Sequence, residues 1–355
     1  MTTLYKFRDW IDIDKLDWFE LNYNKNPNII QLYEKNIDKI DFNFLSKTAT
    51  TLSLLIENED KINWKQLSTN PNAIYLLQKN LKESLRDGCV CKIDFDYLST
   101  NPNAIDLLTT NQDKINWINL SGNPNAIHLL EANLDKIDWI NLSNNPNAIH
   151  LLEANLDESR RNGSVCKINW MNLSSNPNAI HLLQANPEKI HWMNLCLNPN
   201  SLQILQTHLD ESLRDNNVCK IEWDAVSFNK HLLDLINTHL DKSDIICKIN
   251  WYWLSCNPNA IDLLKKNRDK IVWKNLSKNE NAIDLLQAHL EESRKDGSVC
   301  KIDWQYLSAN SNILELDYSF VRNKMNIIKE ELITKALHPK RIQQLLELGV
   351  NIDDI

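Results

Sequence analysis

One pattern recurs almost end to end: W-x-x-L-S-x-N-P-N-A-I-x-L-L-x-x-N, restarting about every 22 residues. The opening aromatics are Trp18, Phe42, Trp64, Phe95, Trp117, Trp139, Trp170, Trp192, Trp223, Trp251, Trp273 and Trp304. Several separations lengthen to 31, so a 22-residue unit at times takes a nine-residue insertion. A fixed period of this size marks a solenoid, in which each unit buries its apolar face only against its neighbours. The chain of 355 residues is therefore expected to be all-α: about twelve short helix-turn-helix repeats over 17–312, between an N-terminal cap (1–16) and a helical C-terminal cap (313–355). Both caps are expected to close open ends of an elongated rod.

Within one unit the helix signals are local. Asp138 precedes Trp139, and nine units have Asp or Asn at that place, which reads as an N-cap. Trp139 and Leu142 then share a face three residues apart. Asn145-Pro146 starts a second helix, because proline costs nothing where the N–H is unbonded anyway. Eight of the ten prolines hold this slot. Ala148, Ile149, Leu151 and Leu152 give the second helix its apolar stripe. It is expected to end at an Asn in left-handed geometry, as at Asn36, Asn80, Asn111, Asn133, Asn155, Asn186 and Asn267, with His208, His239 and His289 in the same slot. The inserts, near 82–91, 157–166, 210–219, 241–247 and 291–300, predict a second helix two turns longer, ended in three cases by Gly88, Gly163 or Gly297. Thr48–Ser53 and Phe228–Leu233 lack the proline motif and mark irregular joints.

The aromatics are predicted to be structural core, notably Trp64, Trp117, Trp139, Trp170, Trp192, Trp223, Trp251, Trp273 and Trp304. Leu three residues on is core spacing, and each buried ring removes roughly 150–250 Å² from water. The variable slots within this frame suit a recognition surface: Tyr75, Asp106, His128, His150, His181, Tyr252 and Trp253. His128, His150 and His181 form a column, one per unit. Helices pack ~8–10 Å apart, so such a column does not converge on one ion.

Five of eight cysteines (91, 166, 219, 247, 300) share one position before Lys-Ile, which suits a small buried residue at a turn better than a disulfide. With 43% hydrophobic and 24% charged residues the chain is foldable, and its net charge of −8 is opposite to that of a typical nucleic-acid binder. No apolar run approaches a membrane span, and the first residues lack a secretory h-region, so an intracellular location is expected. Neither catalytic grouping, metal site nor cofactor motif stands out.

The unit I-[DN]-W-x-x-L-S-x-N-P-N-A-I-x-L-L-x-x-N-x-D-K-I resembles the tandem repeats of proteins encoded by giant DNA viruses of the mimivirus kind, over about residues 17–312. Glu330-Glu331-Leu332 and His338-Pro339-Lys340-Arg341-Ile342 are similar to a closing segment common in such proteins. The resemblance implies a viral product acting inside an infected cell and brings no catalytic residues with it. The expected function is a non-enzymatic scaffold for protein–protein interaction. A nucleic-acid-binding helical repeat and a structural virion component are the alternatives.

Overall fold

The computed structural model describes residues 4–348 apart from 35, 50–51, 89, 216–217 and 239–247, so the insert near 241–247 and His239 lie outside it. Units 1 to 11 have the predicted order. A short first helix starts at the aromatic, as in Trp139–Asn144, a turn follows, and a second helix starts at the Ile after Ala, as in Ile149–Asn162. The Asp138 carboxylate accepts the Asn141 N–H at 2.8 Å, so the first helix is capped as its sequence predicts. First helices pack on one another in series, and the protein is an all-α helical-repeat solenoid.

The leucines form the deepest layer. Leu67, Leu98, Leu120, Leu142, Leu173 and Leu195, each three residues after its aromatic, are fully buried. The aromatics themselves sit higher than the sequence predicts. Of the nine tryptophans read as core, only Trp223 is buried, and the others are half-buried at the rim. The reason is position. The ring stands on the first residue of a short helix, where the preceding backbone covers one side only. A lysine from the next connector closes the other side: Lys136 lies 4.6 Å from the Trp117 ring centre and Lys39 4.7 Å from that of Trp18.

Polar ladders tie unit to unit. Eleven units carry Asn six residues after the aromatic, all buried. In each, the side-chain N–H groups donate to two carbonyls of the preceding unit, as from Asn145 to Ser121 and Asn123 at 3.0 and 2.9 Å. Its Oδ1 accepts the Asn147 N–H. Asn145, read as a helix N-cap, instead opens the turn before Ile149–Asn162 and is an inter-unit bolt with its amide bonded at both ends. The serine two residues earlier does similar work: Ser121 Oγ accepts the Asp138 N–H at 2.9 Å and donates to the Trp117 carbonyl. Asn147 completes a third rung by donating to the Pro124 carbonyl.

The two irregular joints differ. At Phe228–Leu233 the proline is lost, but Asn229 still bonds the Cys196 and Asn198 carbonyls. At Thr48 the asparagine itself is missing, and Ala49 offers the carbonyl that Asn70 uses. Cys196 replaces the ladder serine, and burial pushes its thiol up to about 11.

The predicted caps do not cap. Tyr5–Phe7 (β1) pairs antiparallel with Leu314–Leu316 (β2), bringing both ends of the repeat array together. The ladders then continue across the join. Asn24 donates to the Ser308 and Asn310 carbonyls at 3.0 and 2.8 Å, Asp17 N–H donates to Ser308 Oγ, and Asn26 donates to Ser311. The first helix of unit 1, Trp18–Leu21, packs on that of unit 12, Trp304–Ser308. The array is a closed ring of twelve units. Its exposed surface of 20324 Å² exceeds the roughly 15,000 Å² of a compact monomer of this length, as an open-centred ring with projecting helices should.

Unit 12 is assembled from both ends of the chain. Residues 304–313 supply its first helix and turn. Ile13–Lys15 supplies the connector, matching Leu134–Lys136, and Leu16 fills the buried slot held elsewhere by Ile62 or Ile137. Lys15 covers the Trp304 ring at 5.2 Å as Lys136 covers Trp117. The β1–β2 pair stands where a second helix would be. The helices Tyr318–Ala336 and Pro339–Glu347 follow, with most described side chains exposed, so they project from the ring and seal nothing.

Second helices end by another route than the one predicted. Asn111, Asn133, Asn186 and Asn267 have φ between −140° and −125°, not left-handed, and cap with the side chain: Asn133 Nδ2 donates to the Leu129 carbonyl at 2.9 Å. Where the helix is long, it runs fourteen residues to Gly88, Gly163 or Gly297, whose φ of 68–72° is left-handed. Asn80 and Asn155 then lie inside the helix and accept the N–H of Lys92 and Lys167. His208 and His289 do this through Nε2, accepting from Lys220 and Lys301 at 3.1 Å. Burial, first, and the adjacent lysines hold both imidazoles below the usual histidine range, which keeps the accepting nitrogen unprotonated.

Candidate interaction surface

The first helices and their following turns form the concave side of the ring. A recess of about 770 Å³ opens there, and none of its lining residues comes from a second helix. It spans six consecutive units, 8 to 12 and then 1, so it crosses the closing join. Contributions come from two, five and seven residues after each aromatic. Trp253 and Tyr306 are at the first place, Tyr23, Leu197, Phe228 and Lys278 at the second, and Lys25, Pro199, Lys230 and Glu280 at the third. Tyr252 and His231 complete its polar–aromatic lining.

The aromatic side chains hold one another. Phe228 meets Trp253 edge-on at 5.5 Å between ring centres, and Trp253 meets Tyr252 edge-on at 5.0 Å. Tyr23 packs on Phe44 at 4.6 Å, and Lys274 sits 4.6 Å from the Tyr306 ring centre. Lys25, Lys230 and Lys278 have no carboxylate within 4.0 Å among the described residues, whereas Glu280 accepts the Ser311 hydroxyl at 3.3 Å. Burial pushes the Cys256 thiol up, the opposite of what an activated nucleophile requires.

Next to the recess runs an apolar strip. Ile118, Ile140, Met171 and Met193, each following its aromatic, are all half-exposed or more. Met193 stands four residues before Leu197 on one helix, so the strip enters the recess there.

The predicted recognition residues divide into two groups. Tyr252 and Trp253 are in the recess. Tyr75, Asp106, His128, His150 and His181 stand on second helices, exposed, eleven residues after their aromatics, and are not part of it. The histidine column is a zipper. His150 Nε2 lies 2.9 Å from Glu131 Oε1, and His181 Nε2 lies 2.8 Å from Glu153 Oε1, each reaching the preceding unit. Reasoning from single units missed Tyr23 and Phe228: Phe228 meets Trp253 only across the seam of neighbouring units, and Tyr23 enters the recess only through closure. A hint was present in the aromatics five residues after Trp18 and Trp223, a slot where units 3 to 7 have Thr, Gly, Asn or Ser.

Searches of protein families, curated proteins and solved structures find no match to the chain. Fold and surface define its class: a closed helical-repeat ring with an aromatic, lysine-edged concavity. Among the described residues, no helix is long and apolar enough to cross a membrane.

Proposed function

We propose that the protein is a non-catalytic interaction scaffold that holds part of another protein against the concave face of its ring. One observation supports this above the rest. The frame residues are spent on holding the ring together, while five of the six units that line the recess present aromatics, or lysines unpaired among the described residues, to it. Aromatic anchors in a recess, bordered by an exposed apolar strip, are the composition of an interface centre. The resemblance to giant-virus repeats extends the proposal to a setting, the interior of an infected cell.

A photo-crosslinking residue placed at Tyr252, and separately at Tyr75, tests the reading in cells that make the protein. Crosslinks to one protein from position 252 and not from 75 are expected. Crosslinks from 75 alone, or from neither, would sink it.

A further inference from the structure

Resting on that reading, we propose that the recess and its strip take an extended acidic peptide segment with bulky apolar side chains about three residues apart. The charge of the recess is locally inverted: three unpaired ammonium groups stand in a chain of net charge −8, and its single glutamate is engaged by Ser311. Carboxylates next to an apolar anchor suit that pairing. The anchoring rings are already held edge-to-face, so little side-chain freedom is lost when they are covered.

Spacing sets the period. Packed helices repeat at roughly 8–10 Å, and an extended chain advances ~3.3 Å per residue, so every third residue meets the next unit. The strip also separates this ligand from a nucleic acid. Units 5 to 8 have no Lys or Arg one, two or five residues after the aromatic, and their exposed residues there, Ile118 to Met193, are aliphatic. A phosphate backbone needs cations along its path and bases need π faces. Neither is present there.

The test is fluorescence anisotropy of the full chain with labelled 15-residue peptides. One is rich in Asp and Glu with Trp or Leu at every third position; a second replaces its acids by Lys; a third probe is a 15-nucleotide oligothymidine. The acidic peptide is expected to bind at least tenfold tighter than either of the others. K230E/K278E, which changes two exposed side chains that take no part in the ladders, should lose that preference and favour the basic peptide, while W253A should weaken both peptides. No acidic binding at ~100 μM, tighter oligothymidine binding, or an unchanged Kd in K230E/K278E overturns the proposal. If position 252 still crosslinks to a protein in that case, the scaffold reading stands and only the partner chemistry falls.

Discussion

The seam between units 5 and 6 and the seam between units 12 and 1 are built alike, although one joins neighbours in sequence and the other joins residues some 290 apart. At the first, Asn145 bonds Ser121 and Asn123; at the second, Asn24 bonds Ser308 and Asn310, with distances of 2.8–3.0 Å in both. What differs is the outer layer. The ordinary seam has a second helix on each side, whereas the closing seam has a three-residue strand pair and the Ile13–Lys15 connector. The first helix and its turn therefore carry the same joining bonds at both seams, and in unit 12 a strand pair takes the place of the second helix. The closing seam also has to offset the entropy of confining a very long loop, which an ordinary seam does not.

The strongest way to sharpen the comparison is to lock the closing seam. Lys6 and Glu315 are paired across β1 and β2, and antiparallel partners lie within disulfide reach. K6C/E315C is expected to form a disulfide on oxidation and to stabilise by up to about 5 kcal/mol, given so long a loop. The difference in Tm between oxidised and reduced protein reads it, and failure to oxidise would mean the strands are not paired. Next come the bolts. Asn145→Ala leaves the Ser121 carbonyl and the Asn147 N–H without partners and strips one of two bonds from the Asn123 carbonyl, which keeps the Ala126 N–H; it should cost about 3 kcal/mol in urea unfolding. Asn24→Ala should cost a similar amount. A loss near zero for Asn24→Ala alone would show that the ring is open in solution.

A smaller effect compares the helix ends. Gly163 has φ of 72° and open space where a Cβ would go, so Gly163→Ala should cost only the left-handed penalty, about 1 kcal/mol. The smallest concerns pH. The His289 imidazole is held below its ordinary range, so the unfolded chain takes up its proton first as pH falls. Stability should therefore decline from the ordinary histidine value near 6.5 down to the lowered folded-state value. His289→Asn, with the residue of the equivalent slot at Asn80 and Asn155, should flatten that part of the curve; an unchanged acid limb would refute it.

Much of the unit was legible because its signals are local. Asp138 before Trp139 and Gly163 after Asn162 each act within one turn of backbone and mark a helix end, whereas Asn145-Pro146 opens a turn and the second helix begins at Ile149. Distances between units were not legible in the same way. Asn145 read as a cap because its second role, reaching the carbonyls of residues 121 and 123, needs the neighbouring turn in place. Trp139 read as core because a stack needs buried area, yet its place at the helix start leaves a face that Lys167 closes at 5.2 Å. Of the recognition residues, Tyr252 and Trp253 lie in the recess, whereas Tyr75 and His150 belong to the other layer. Variation alone does not tell a concave slot from a solvated one.

Period, helix order, the first-helix N-caps and the buried leucines were determined by the sequence alone, since each depends on residues a few positions apart. Closure was decided only by the tertiary structure. It needs a rotation of about 30° per unit to add up to one full turn over twelve units, and no single unit specifies that sum. The same sum brings Tyr23 and Lys25 into one recess with Trp253, because curvature and closure bring together residues that period alone keeps apart.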